Sequence, residues 1–152
     1  GDHRDLHSFP TRRSSDLDNI KFTKKGWINR NRILVDGRDA YITLPLKNDS
    51  DCLDIKDRYL AEVWPSERNK ILNRIIESYR KAPQFNYVYP VVEKAILYTD
   101  TNLFKFIFNS LTLVKEYLNI KTPCVAASTI SFNHELRSEK KVINICKARK
   151  AN

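Results

Sequence analysis

Glycine and cysteine are scarce in this sequence of 152 residues, and each shortage excludes a class of protein. The three glycines, Gly1, Gly26 and Gly37, are too few and too far apart for a Walker loop or a Gly-x-Gly-x-x-Gly dinucleotide loop. Nucleotide-binding folds that depend on those loops are excluded for the residues present. The three cysteines make no Cys-x-x-Cys pair and have no histidine nearby, so we expect reduced thiols, no metal and no other cofactor.

Long apolar runs are also missing. No run reaches the roughly 18 to 20 apolar residues that cross a bilayer, and the first residues lack the basic, apolar and small-residue order of a secretion signal. With 41% hydrophobic and 30% charged residues, the chain has enough apolar side chains for one domain with a modest core. We therefore expect a cytoplasmic protein without a membrane span.

The net charge of +9 is confined to two short blocks. Residues 33–136 carry 13 basic and 13 acidic side chains, and the excess is +4 in residues 18–32 and +5 in residues 137–152. Nucleic-acid-binding surfaces usually combine such charge with aromatic side chains in a recognisable module, and only the first block has any, Phe22 and Trp27. Nucleic-acid binding through both basic blocks is therefore the least favoured alternative function.

The first 17 residues differ in composition from the rest of the chain. They show neither helical nor strand periodicity, and Ser8–Leu17 closely resembles the translation of a common sequencing adapter. We predict that residues 1–17 are a non-native or disordered leader that packs against nothing. Residues 18–152 are then predicted to form a single partial α/β domain.

The sequence of residues 32–46 is typical of a β-hairpin. Apolar residues in 32–35 and 40–46 flank Asp36-Gly37, a dipeptide that tolerates the positive φ of tight hairpin turns. The second-strand residues expected to share one buried face are Ile42, Leu44 and Leu46. After a polar loop, weak alternation in Leu53–Leu60 predicts another short strand.

Three helices are predicted over residues 65–81, 85–97 and 103–118, where apolar side chains recur at helical spacing. Pro65 suits the start of the first helix, and Pro90 either starts the second afresh or kinks it. Asp100 or Thr101 is predicted to cap the third helix, and Asn119 to end it.

The C-terminal part is predicted to add a buried strand over residues 122–128 and a last helix with Val142, Ile143 and Cys146 on its apolar side. Elements in this order favour an α/β fold with helices packed on a central mixed sheet. Tyr79 is expected to be a core tyrosine with its hydroxyl hydrogen-bonded. Asn102 is expected either to cap its helix or to contact a ligand.

Residues Phe22–Ile33, with the sequence Phe-Thr-Lys-Lys-Gly-Trp-Ile-Asn-Arg-Asn-Arg-Ile, resemble the hallmark segment of the WbqC-like proteins, bacterial proteins often encoded in surface-polysaccharide gene clusters. The similarity spans residues 18–152 and continues, in order, at Leu44–Leu46, Ser78–Phe85, Asn102, Tyr117–Thr122, Ser128 and Ile145–Ala148. Lys21 replaces a glutamine that is frequent in the family. The family's usual opening strand and loop and its closing Tyr- and Gly-rich segment are missing, so we expect an internal fragment, truncated at both ends and inactive alone.

The resemblance implies a role in making O-antigen and related bacterial polysaccharides. It further implies transfer of a glycyl or other acyl group onto a sugar. Separately, the side chains of residues 27–32 would suit a nucleotide-sugar or acyl-phosphate donor. Two classes of function remain: a transferase that grips a charged donor, and a non-catalytic carbohydrate- or partner-binding module.

The densest group of functional side chains lies just before the hairpin. The predicted substrate-binding residues are Trp27, Asn29, Arg30, Asn31, Arg32 and Ser128. Guanidinium groups bind phosphate or carboxylate, carboxamides bind sugar hydroxyls, and an indole packs on a sugar ring. Ser128 follows a predicted strand, where ligands gather in open α/β sheets. The alternative is a solvated loop in which Trp27 covers the sheet and the arginines pair with acids; no catalytic residue is assigned.

Overall fold

The computed structural model describes residues 22–23, 26–50 and 52–126. The chain divides into two compact units, and the first, Ile20–Ile120, contains every helix and strand described below. The structure describes residues 121–126 of the second unit, and among these six residues Ala126 is the one that takes part in a β-bridge. The predicted strand over residues 122–128 thus lies partly outside the described residues. The predicted leader over residues 1–17 and the predicted last helix lie entirely outside them.

The predicted hairpin is confirmed. Strand β1, Arg30–Val35, pairs antiparallel with strand β2, Arg38–Thr43, in a register that places Ile33 opposite Ala40. Asp36 and Gly37 join the strands with φ of 50° and 75°, which is the turn that matches the right-handed twist of two strands. Both strands begin two residues earlier than predicted.

The strand predicted over Leu53–Leu60 is wrong, because this segment contains a 3₁₀ helix, Ile55–Asp57, followed by single bridges at Tyr59 and Leu60. Ile55 and Leu60 are almost completely buried, and a spacing of five residues would place them on opposite faces of a strand. The helical turn brings both side chains into the core.

Helix α1, Trp64–Tyr79, begins as predicted, with Pro65 in its first turn. Its buried side chains are Trp64, Ile71, Leu72 and Ile75. Helix α2, Phe85–Ile96, continues through Pro90, so the proline does not start a separate helix.

Helix α3, Leu103–Tyr117, is capped by Asn102, whose Oδ1 accepts a hydrogen bond from the N–H of Lys105 at 3.1 Å. The prediction of Asp100 or Thr101 as the cap is therefore wrong, whereas the capping role considered for Asn102 is confirmed. Asp100 instead holds the capping residue in place, because its carboxylate accepts a hydrogen bond from the N–H of Asn102. At the other end Asn119 has a φ of 54°, as expected for the residue that ends a helix.

The core lies between the hairpin and the three helices. Ile55, Leu60 and Leu103 are its most deeply buried residues, and the ring of Trp64 packs edge-on against Phe106 at 5.5 Å. The three predicted inward residues of the second strand and its extension, Ile42, Leu44 and Leu46, are half-buried against this core. The described residues therefore form a mixed α/β fold, in which three helices pack with a small antiparallel sheet of two strands.

Helix α1 is attached to both strands by side chains near its C-terminal end. The hydroxyl of Tyr79 accepts a hydrogen bond from the N–H of Leu34 in β1 at 2.9 Å. The Nη1 of Arg74 donates to the carbonyl of Tyr41 in β2 at 3.3 Å. Tyr79 is half-buried and its hydroxyl is bonded, as predicted.

Candidate functional site

A cavity of about 250 Å³ lies between the start of the hairpin and the three helices. We call it the Trp27 cavity. Its polar rim consists of Trp27, Asn29, Arg30, Asn31, Thr43 and Ser110, and its apolar wall consists of Ile28, Ile42, Leu44, Trp64, Ile71, Ile96, Phe106 and Ile107. A mostly apolar pocket with a few polar groups on one side is the usual form of a small-molecule site.

Arg30 contacts two aromatic rings at the rim, and the two rings also contact each other, with their centres 5.9 Å apart. Its guanidinium carbon is 5.5 Å from the centre of the Trp27 ring and 5.4 Å from that of Tyr41. The strand register explains this arrangement, because Arg32 lies opposite Tyr41 and Arg30 is on the same face, one diagonal step away. Contacts between a cation and a ring face help to hold the guanidinium in place.

Arg32 differs from Arg30 in its surroundings. Its guanidinium carbon lies 5.2 Å from the centre of the Trp27 ring, but Arg32 does not line the cavity. Its Nη1 donates to a carboxylate oxygen of Asp39 at 3.3 Å, and both side chains are more than half exposed. Arg32 thus has the acid partner that the alternative interpretation of this segment expected.

The two asparagines contribute to the rim in different ways. Asn29 pairs with Leu44 on the strand side: the Leu44 N–H donates to the Asn29 carbonyl at 2.7 Å, and Asn29 Nδ2 donates to the Leu44 carbonyl at 3.0 Å. Asn31 accepts the N–H of Arg32 through its Oδ1 at 2.8 Å, which leaves the Nδ2 of Asn31 with no acceptor among the described residues. Asn29 therefore fixes the start of the hairpin, and Asn31 supplies an unused donor at the rim.

Trp64 provides a second donor. Its side chain is 3% exposed and lines the cavity, and its indole N–H has no hydrogen-bond acceptor among the described residues. A buried N–H without an acceptor destabilises the fold, so an oxygen atom within its reach would be favoured; Trp64 borders this cavity and a second one next to Leu60 and Tyr98. Trp27 and Trp64 are the two tryptophans of the chain, and both line the same cavity.

The sequence model of the WbqC-like protein family matches residues 15–152. The chain belongs to the WbqC-like protein family. Comparison with curated proteins and with solved structures returned no match. The segment Phe22–Ile33 that resembles the family's hallmark thus supplies four residues of the cavity rim, Trp27, Asn29, Arg30 and Asn31.

The other predicted residues of this WbqC-like protein are placed as follows. Ser128 lies outside the described residues. Tyr79 and Asn102 are away from the Trp27 cavity and hold elements of the fold together. Sequence reasoning missed Tyr41 and Trp64; the register of the hairpin could have indicated Tyr41, since it pairs with Arg32. Nothing in the local sequence indicated that Trp64 would turn toward the same cavity.

The ionisable groups with altered pKa values lie away from the cavity lining. The N–H of Asn102 and the ammonium of Lys105 lower the pKa of Asp100. Burial and the nearby Glu93 raise the pKa of Tyr89. Within the part of the chain that the structure describes, no three histidine, cysteine or acidic side chains are grouped to hold a metal ion, and no helix has the length and apolar character needed to cross a bilayer.

Proposed function

We propose that this WbqC-like protein acts in the biosynthesis of bacterial surface polysaccharide, as a transferase that moves a glycyl or other acyl group onto a sugar. Family membership suggests the pathway, and the rim of the Trp27 cavity suggests how a donor is held. The observation that carries the proposal is the position of Arg30, whose guanidinium contacts the adjacent rings of Trp27 and Tyr41 beside an apolar cavity.

In this proposal Arg30 binds the phosphate or carboxylate of the donor, and the apolar wall receives its acyl or sugar part. Asn31 and the indole N–H of Trp64 donate hydrogen bonds to oxygen atoms of that part. A cation held by ring contacts loses little conformational freedom when an anion binds, which favours tight binding. Arg32 packs beside Trp27 but has no part in donor binding here, because Asp39 offsets its charge.

A non-catalytic carbohydrate-binding module is the second candidate. It is favoured by the composition of the cavity lining, which among the described residues contains no histidine, aspartate or glutamate that could serve as a general base. The hydroxyl of Ser110, moreover, donates to the carbonyl of Ile107 at 2.7 Å. Binding without turnover of a donor and sugar acceptor would support this second function against the first.

The test uses the intrinsic fluorescence of the two tryptophans, since both line the cavity. We would titrate the chain with a nucleotide sugar and with acetyl phosphate, and compare Arg30→Gln with the control Arg38→Gln. Arg38 is exposed on the same hairpin and does not line the cavity.

Loss of charged hydrogen bonds from Arg30 should weaken binding of the anionic probe by about 1.5 to 3 kcal/mol, or roughly ten- to a hundredfold. The control should bind as the unchanged chain does. If Arg30→Gln lowers the melting temperature while its folded form binds normally, Arg30 stabilises the hairpin and the proposed donor site is wrong.

A further inference from the structure

Arg58 is the most deeply buried charged residue that the structure describes. It follows the 3₁₀ helix, and 4% of its surface is exposed. Its backbone is held on both sides: its N–H donates to Ile55, and its carbonyl accepts the N–H of Leu103 at 2.8 Å. The backbone at Arg58 is therefore tied to the core on both sides.

The guanidinium of Arg58 has few partners for a buried cation. Nη2 donates to the carbonyl of Ser50 at 2.9 Å, and the guanidinium carbon lies 4.5 Å from the centre of the Phe22 ring. Nε is buried without an acceptor. Among the described residues, no carboxylate lies within ion-pair distance of Arg58.

A guanidinium keeps its positive charge even when it is buried. Removing that charge from water is costly unless an anion or a full set of hydrogen-bond acceptors replaces the water. One carbonyl and one ring compensate for part of this cost. The remaining positive charge favours any oxyanion that can come close.

A cavity of about 200 Å³ adjoins Arg58, and we call it the Arg58 cavity. Its lining includes Lys47, Asn48 and Asp49. At about 30 Å³ for each molecule in the liquid, this volume holds several waters or one small oxyanion. The cavity shares Asn29 with the Trp27 cavity but none of that cavity's other lining residues.

We propose that the Arg58 cavity is a second anion-binding site, which takes the phosphate or carboxylate group of a small molecule. Arg58 supplies the buried charge, Lys47 adds an exposed charge, and the amide of Asn48 supplies hydrogen bonds. Asp49 weakens the binding of the anion, because its negative charge lines the same cavity. The site does not depend on the proposed role of Arg30.

The experiment measures binding by titration calorimetry at constant ionic strength, with inorganic phosphate, acetate and chloride as separate probes. The full chain is used with Arg30→Gln already present, so that an anion bound near Trp27 does not contribute. We expect saturable binding of phosphate or acetate, the tighter of the two showing which group the site prefers. Chloride binding of equal strength would overturn the proposal, since it would show charge screening alone.

Variants at the exposed residues keep the test valid if Arg58→Gln does not fold. Arg58→Gln should weaken oxyanion binding at least about tenfold. Asp49→Asn should strengthen it about two- to fivefold, and Lys47→Gln should weaken it by a similar factor. The gain with Asp49→Asn is decisive, because a purely structural role of Arg58 does not produce it.

The matched control is Arg74→Gln. Arg74 also donates to a backbone carbonyl, that of Tyr41, but it is exposed and lies outside the Arg58 cavity. Its substitution should leave oxyanion binding unchanged. Any one of three results would overturn the proposal: no oxyanion binding to the starting chain, an effect of Arg74→Gln equal to that of Arg58→Gln, or no gain in binding with Asp49→Asn.

Discussion

Replacing Asn102 by alanine should cause a large loss of stability, because this one side chain joins two elements. Its Oδ1 caps helix α3 by accepting the N–H of Lys105, and its Nδ2 donates to the carbonyl of Lys56 in the 3₁₀ helix at 2.7 Å. Asn102 is 6% exposed, so water does not readily replace either hydrogen bond.

The two losses can be estimated separately. Removal of an N-cap costs about 1 kcal/mol. Loss of the donor to the Lys56 carbonyl, in a part-buried hydrogen bond, costs about 1 to 3 kcal/mol. The expected loss for Asn102→Ala is therefore about 2 to 4 kcal/mol, a large part of the roughly 5 to 15 kcal/mol by which a typical domain is stable.

Urea unfolding followed by circular dichroism measures this loss. With a slope of about 1.5 kcal/mol per molar urea, a loss of 3 kcal/mol lowers the midpoint by about 2 M. Asn102→Ser is the informative companion, because serine keeps a capping oxygen but is too short to replace the donor to Lys56. It should recover about 1 kcal/mol relative to alanine. Equal midpoints for Asn102→Ala and the unchanged chain would refute the reasoning, and equal midpoints for the two variants would refute the capping role.

Two further predictions concern Asp100 and the hairpin turn. The lowered pKa of Asp100 means that its contribution is present above the unfolded pKa of about 3.9 and is lost as the pH falls through the folded value. Asp100→Asn should therefore lower the melting temperature at pH 6, and its difference from the unchanged chain should shrink below about pH 4; a difference that stays constant with pH would contradict this. Gly37→Ala should cost about 1 kcal/mol in urea unfolding, because its φ of 75° strains any side chain while nothing lies within 4 Å to clash with the new methyl group. Gly37→Asn should cost less, since asparagine tolerates this region, and a larger loss for asparagine than for alanine would contradict the strain argument.

Local signals in the sequence were sufficient for the hairpin and the helices. Asp36-Gly37 dictates a turn with positive φ, and Pro65 marks the first turn of α1. The capping residue of α3 was harder to predict, because Asp100, Thr101 and Asn102 are all good caps by type. The choice among them depends on a distant partner: Asn102 bonds to the carbonyl of Lys56, 46 residues earlier.

Part of the candidate site could also be predicted from a local signal in the sequence. The rim residues Trp27, Asn29, Arg30 and Asn31 are consecutive or nearly so, and a short segment showed them. The apolar wall combines residues in and next to the hairpin with residues from three separate helices, and which inward residues border the cavity depends on packing. Arg58 was missed because a charged side chain is expected at the surface unless an acid is paired with it.

The attachment of α1 to the hairpin has a consequence for self-association. A two-stranded sheet exposes backbone groups along both outer edges, and such edges recruit strands from other molecules. In this register the outward N–H of Leu34 and the outward carbonyl of Tyr41 lie on opposite edges, and Tyr79 and Arg74 already occupy them. An incoming strand would have to break one of these hydrogen bonds, so a single helix discourages edge-to-edge aggregation on both sides of the hairpin.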